Sequence, residues 1–268
     1  MKRSYVTIPS KAIGRPFEML VFGTRGKPML AFPSSSGRFF DFENFGMIEQ
    51  IASYIDGGKV QVYCVDGLDH ESWFAQIPPA DKARRANDYD WAIANEVVPF
   101  IISDGHPGAG ILCSGVSFGA YHTANFMLRH PELVDIGIAL SGNYSIAFAV
   151  GDFRNDDVYY NDPLMFVPGL AGSGFLDNLR RDLLILCAGQ GPWEEWNAEA
   201  RALSTALNDK GVPHLLDLWG FDVEHDWPWW KKQILHFLGK LDRAGFLTPN
   251  GRLSRLDVSG FLSNYPHI

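Results

Sequence analysis

The sequence predicts an α/β fold in three layers, with a mostly parallel central sheet and helices on both faces. Three observations lead there. Beyond residue 41, strand-like and helix-like segments alternate, which is the signature of a parallel sheet built from crossover units. Strands such as Ile111-Leu112-Cys113 and Leu183-Leu184-Ile185-Leu186-Cys187 are apolar throughout, as strands covered on both faces must be. Finally, 268 residues with 46% hydrophobic and 13% aromatic content supply a large core, at a size where α/β chains fold as one unit. The expectation is a single domain over residues 1–268.

Early strands are expected near Ser4–Ile8, Phe17–Phe22 and Met29–Phe32, separated by Gly14, Pro16, Gly23, Gly26 and Pro28 and arranged as an antiparallel meander. A helix over Phe42–Ile55 follows, then a strand Val60–Val65, a helix Lys82–Ile102, a strand Gly110–Ser114, a helix Ala120–Arg129 and a strand Ile136–Leu140. Between 142 and 181, Gly, Asn, Asp, Pro and aromatics mix without a period. That length exceeds a plain connection, so the segment reads as an excursion over the sheet edge, or a lid. Strand Leu183–Ala188, helix Asn197–Asn208, strand His214–Trp219 and a last helix from Trp227 to about Ala244 complete the order. Asp226 is the N-cap of that last helix and Pro228 lies in its first turn. Residues 248–268 are rich in turn formers, expected to dock or fray.

Composition narrows the function classes. With 23 Lys+Arg against 31 Asp+Glu, and basic residues no denser than pairs, no stripe can neutralise a phosphate backbone, so nucleic acid is not an expected partner. No apolar run reaches the length of a membrane span. The N-terminus MKRSYVTIPS lacks the apolar stretch of a signal peptide. The expectation is therefore a cytoplasmic protein, in which the sequon at Asn143-Tyr144-Ser145 has no role. Cys64, Cys113 and Cys187 each sit in an apolar strand and read as core hydrophobes.

The strongest chemical signal is Gly115-Val116-Ser117-Phe118-Gly119, between an apolar strand and a helix. G-x-S-x-G in that context is a nucleophile elbow. The turn lifts the Ser117 hydroxyl above the sheet and leaves the Phe118 amide, at the helix N-terminus, facing the reacting centre. Serine needs a base. Of eight histidines, His225 alone follows the late strand by a short loop and precedes the cap of the final helix. His122, His130 and His236 fall on helices, His214 at a strand start, and His70, His106 and His267 in loops.

A carboxylate after Leu183–Ala188 should hold the imidazole tautomer. That loop contains no aspartate, so spacing leaves Glu194 and Glu195 equal candidates, with Asp222 and Glu224 as lesser alternatives. The second oxyanion donor should come from Pro33-Ser34-Ser35-Ser36-Gly37-Arg38, through the amide of Ser35 or Ser36 beside that of Phe118. Asp66, Asp69, His70 and Glu71 match no metal-ligand spacing and read as a polar loop. Gly108-Ala109-Gly110 precedes its strand, which excludes a dinucleotide loop.

These motifs together resemble one family. Phe32-Pro33-Ser34-Ser35-Ser36-Gly37-Arg38, the elbow, Trp193-Glu194, Leu218-Trp219-Gly220 and the rarer string His225-Asp226-Trp227-Pro228-Trp229-Trp230 are similar to the esterase D-like branch of the α/β-hydrolases. Its relatives include S-formylglutathione hydrolases, feruloyl esterases and mycolyltransferases. The resemblance, over roughly Val21 to Leu241, implies an α/β-hydrolase sandwich with Ser117 as nucleophile, His225 as base, Glu194 as acid and the oxyanion amides of Ser35 and Phe118. It implies no metal and no cofactor. The departure is glutamate where better-known members carry aspartate.

The expected function is serine carboxylic-ester hydrolysis of a small-molecule ester or thioester through an acyl-enzyme. An acyltransferase on the same intermediate and a non-catalytic binding protein are the alternatives. Phe148, Phe153, Tyr159, Tyr160 and Phe166 of the excursion are candidates to line an acyl or aryl pocket.

Overall fold

The computed structural model describes residues 1–265; His267 lies outside the described residues. One eight-stranded sheet has the order β1-β2-β4-β3-β5-β6-β7-β8. The strands are β1 (Arg3–Ile8), β2 (Phe17–Phe22), β3 (Lys27–Phe32), β4 (Val60–Val65), β5 (Ile111–Val116), β6 (Val134–Leu140), β7 (Leu183–Ala188) and β8 (His214–Leu218). From β4 across to β8 every pairing is parallel.

The meander expectation fails at its third strand. β1 and β2 pair antiparallel, and β2 continues antiparallel onto β4, but β3 lies parallel between β4 and β5. The reason is burial: all six residues of β3 are buried, and such a strand gains most in the sheet interior, not in a hairpin with one wet face.

Strand side chains alternate between two cores. Along β7, Leu184 and Leu186 join the core with Tyr89, Ile93, Ala120, Ala124, Leu203 and Leu207. Leu183, Ile185 and Cys187 join the opposite core with Ile48, Ile51, Ile234, Phe237 and Leu238. This is the three-layer arrangement read from the sequence.

Several helices differ from expectation at identifiable points. The segment 42–55 is cut into Asp41–Asn44, Met47–Gln50 and Ala52–Asp56, with Gly46 left-handed at φ 74° in the first break. The helix Pro79–Ala92 widens into a π-turn at Ile93–Val97 before Val98–Ser103. Pro99 in that last piece lacks the N–H that would continue the α ladder. The excursion 142–181 contains short helices at Ala147–Val150, Asp156–Tyr159, Pro163–Phe166 and Ser173–Leu179. The turn-rich C-terminal segment forms a helix Arg255–Ser263, closed by a Ser254/Asp257 capping box, with Val258 and Phe261 buried. No helix among the described residues is long and apolar enough to cross a membrane.

Charged groups are buried at the amino ends of the strands. Lys27 Nζ lies 2.9 Å from Asp135 Oδ2, with both side chains nearly inaccessible, and the same Asp135 oxygen accepts from the Leu253 amide at 2.9 Å. Asp182, just before β7, has neither carboxylate oxygen hydrogen-bonded; Arg252 stands 3.6 Å away. Burial, reinforced by Asp135 and opposed by Arg252, pushes the Asp182 carboxyl up to about 8. The folded chain then keeps a proton that the unfolded chain loses near pH 4. The contribution of this group to stability falls as pH rises between those limits. Replacing Asp182 by Asn removes this fall, so the variant's melting temperature should gain on wild type as pH rises from 5 to 8. A difference that stays flat with pH would refute it.

Candidate active site

Ser117 stands at the carboxyl end of β5 with φ 56° and ψ −124°, a strained conformation for a residue with a Cβ. Its amide donates to Leu140 O at 2.9 Å, and its carbonyl accepts from Ala120 N at 2.9 Å. These bonds pin the elbow from both sides. The flanking glycines are required by space: a Cβ on Gly119 would strike the carbonyls of Phe32 and Pro33, and one on Gly115 would strike the backbone of Gly119.

His225 meets the serine from the β8 side. Its Nε2 lies 2.9 Å from Ser117 Oγ. The loop carrying it is stitched to the loop after β7, through Gln190 N to Gly220 O (3.2 Å), Gly191 N to Val223 O (3.0 Å) and His225 N to Pro192 O (3.2 Å). Gly191 permits this approach, because a Cβ there would press on the carbonyls of Phe221 and Val223.

The same loop turns at Trp193, whose φ is 64°. That turn sends the indole outward and Glu194 inward. Trp193 is 74% exposed and Glu194 is 1% exposed, whereas Glu195 is exposed. Glu194 Oε2 lies 3.6 Å from His225 Nδ1, longer than a hydrogen bond. Glu194, not Glu195, therefore faces the imidazole; Asp222 and Glu224 are exposed in the histidine loop.

Of the two serines in the loop after β3, Ser36 is engaged: its amide donates to Asp69 Oδ2 at 3.1 Å. Neither the Ser35 nor the Phe118 amide donates to another group among the described residues. The loop is braced by Ser34 Oγ donating to Asp41 Oδ2 at 2.9 Å and by Arg38 Nε donating to Asp66 Oδ1 at 2.5 Å.

The remaining polar candidates have structural partners. Asp69 Oδ1 pairs with His122 at 2.7 Å, and Glu71 pairs with Arg15 and Arg85. His130 pairs with Asp90, His106 with Gln61 and His214 with Ser204. No three metal-ligating side chains cluster among the described residues. The three cysteines are buried and free, and burial pushes their thiols up.

Aromatic side chains flank the elbow, though not all of those expected. Phe118 packs under Phe74 (5.0 Å between centroids) and Phe148 (5.9 Å), which are 38% and 50% exposed. Phe74 was not among the sequence candidates, since its loop carries no periodic signal. Tyr160 and Phe166 instead line a groove with Leu128, Arg129 and His130, at the far end of the helix Phe118–Arg129. Eleven residues of helix place them on the order of 15 Å from the serine. Tyr159 packs against one of the two cores. Sequence reasoning missed Ser141, which contacts Glu194, and gave Trp230, which stands against His225, no role beyond its place in the family-like string.

No family model matches the sequence, and no curated protein matches it significantly. Solved structures do. A ferulic acid esterase superposes with a TM-score of 0.70 at 17% identity, over 90% of this chain and 98% of its own. The fold is that of the α/β-hydrolases. The S-formylglutathione hydrolase of Staphylococcus aureus gives 0.60 at 16% identity over 89% and 98%. MPT51 of Mycobacterium tuberculosis gives 0.65 at 14% identity over 90% and 98%. Ferulic acid esterases and S-formylglutathione hydrolases are among the groups that the sequence motifs resemble. In this fold the carboxyl edge of the sheet is where loops converge, and Ser117, Glu194 and His225 all lie there.

Gly119→Ala should lower stability by about 1–3 kcal/mol, the usual cost of forcing atoms into a packed site. Urea unfolding measures it. An unchanged midpoint would mean that the elbow and the loop after β3 are not in the contact described.

Proposed function

We propose that the protein is a serine carboxylic-ester hydrolase acting through Ser117, His225 and Glu194. The observation that carries the reading is the 2.9 Å contact between His225 Nε2 and Ser117 Oγ at a strained strand-to-helix turn. A hydroxyl so placed can pass its proton to the imidazole as its oxygen bonds to an ester or thioester carbonyl carbon. The carbonyl oxygen takes the displaced electron pair and is received by the amides of Ser35 and Phe118. When the intermediate collapses, the bond to the alcohol or thiol breaks and His225 returns the proton to that leaving group. Water, deprotonated by His225, then releases the acyl group as a carboxylic acid and frees Ser117. Glu194 holds Nδ1–H toward itself and stabilises the imidazolium.

The excursion 142–181 supplies one wall of the substrate site through Phe148, and the loop after β4 supplies the other through Phe74. Exposed rings packed on Phe118, the residue after the nucleophile, favour apolar acyl or aryl groups over charged ones.

Fluorophosphonate labelling tests the reaction class. The adduct should form on Ser117, be abolished in Ser117→Ala and slow at least a thousandfold in His225→Ala. No adduct on folded wild type would overturn the reading. For the walls, Phe148→Ala should reduce kcat/KM for a long-chain or aryl ester roughly tenfold relative to an acetyl ester, while Tyr160→Ala leaves the ratio unchanged. The reverse pattern would move the pocket to the distal groove.

A further inference from the structure

The two oxygens of Glu194 face different partners. Oε2 faces His225 Nδ1, whereas Oε1 accepts a hydrogen bond of 2.5 Å from Ser141 Oγ. Ser141 Oγ in turn accepts from Trp230 Nε1 at 3.0 Å. An indole N–H can only donate, and a serine hydroxyl has a single proton. A carboxylate can only accept, so the single Ser141 proton goes to Glu194 while the Ser141 oxygen receives the Trp230 N–H. The chain Trp230 to Ser141 to Glu194 therefore has one direction.

All three groups are sequestered: Ser141 and Glu194 are each 1% exposed and Trp230 is 3% exposed. Ser141 follows β6 directly, with φ 56° and its amide donating to Cys187 O at 2.7 Å, so its hydroxyl is fixed to the sheet. Trp230 also stands edge-on to the His225 ring, 4.9 Å between centroids at 87°. One indole thus touches both the imidazole and the hydroxyl that holds the carboxylate.

We propose that Ser141 and Trp230 are positioning residues for the acid–base pair: they fix the plane of the Glu194 carboxylate so that Oε2, and not a rotated alternative, meets Nδ1–H as His225 takes up the serine proton. The proposal rests on the Ser117–His225–Glu194 reading. Its physical basis is that a carboxylate whose second oxygen is tied by a charge-assisted hydrogen bond in a dry site has one orientation left, and orientation of the base is what the acid supplies.

The test compares wild type, Ser141→Ala, Trp230→Phe and the double variant, by the rate of fluorophosphonate labelling at Ser117 and by kcat and KM for p-nitrophenyl acetate. Thermal melts check that each variant is folded. Ser141→Ala should slow labelling about 10- to 100-fold, as loss of a hydrogen bond to a charged group does, with the loss in kcat and KM held. Trp230→Phe keeps an aromatic ring but removes the N–H, and should lose less, severalfold. Because both act through one hydroxyl, the double variant should be no slower than Ser141→Ala alone. In a Glu194→Gln background, Ser141→Ala should cost little further. Wild-type rates in Ser141→Ala, or losses that multiply in the double variant, would overturn the proposal while leaving the triad standing. Unlabelled wild type would overturn the triad and this proposal with it. Should Ser141→Ala fail to fold, Trp230→Phe decides alone: a labelling rate equal to wild type defeats the coupling.

Discussion

The site depends on backbone segments approaching one another more closely than side chains would allow. Gly119 lies against the carbonyls of Phe32 and Pro33, and Gly191 against those of Phe221 and Val223. These contacts fasten the elbow to the loop after β3 and the loop after β7 to the histidine loop. A Cβ at either place would press on those carbonyls and force the two loops to shift apart, displacing the groups they carry. The parallel order β5-β6-β7-β8 then does the rest. It brings the carboxyl ends of strands distant in the chain to a single edge, so that residues 117, 194 and 225 meet without any long reach.

Buried polarity is divided between the two ends of the sheet. At the amino ends, Lys27 and Asp135 pair beneath β3 and β6, Asp182 is buried beside them, and the C-terminal segment covers the group through Arg252 and Leu253. At the carboxyl ends lie Glu194, Ser141 and the Asp69–His122 pair. A buried charge pair adds little net stability against apolar packing but is costly to break. The amino-end group therefore reads as a fastening for the C-terminal segment. The carboxyl-end groups sit where loop amides remain unpaired and a ligand can approach.

The fold class, most strand positions, the elbow and the position of His225 were legible because each is written in local sequence: continuous apolar runs, glycines at fixed offsets, and a histidine next to a helix cap. What was illegible depended on partners far along the chain. The parallel placement of β3 is decided by β4 and β5. That Glu194 and not Glu195 faces His225 turns on the positive φ of Trp193, a conformation that a tryptophan does not advertise. Ser35 and Ser36 differ because Asp69, 33 residues on, takes the second amide and Ser36 turns left-handed at φ 54°. The distal position of Tyr160 follows from the path of the excursion, whose short helices leave no period to read. Ser141 and Trp230 lie 53 residues before Glu194 and 89 residues after Ser141, respectively.

In the proposed triad, glutamate in the acid position makes those distant partners consequential. It carries one more rotatable bond than aspartate, so its carboxylate has more orientations to lose before it can hold an imidazole. The turn at Trp193 fixes where the side chain starts, and the Ser141 hydroxyl fixes where it ends. Between them the extra methylene becomes reach instead of freedom. A short Asp in the same loop would start from the same backbone and fall short of both Ser141 and His225 by about the length of a carbon–carbon bond, ~1.5 Å. In the proposed site, glutamate and the Trp230-to-Ser141 chain are thus one solution: the longer acid spans the gap, and the buried hydroxyl removes the disorder that its length brings.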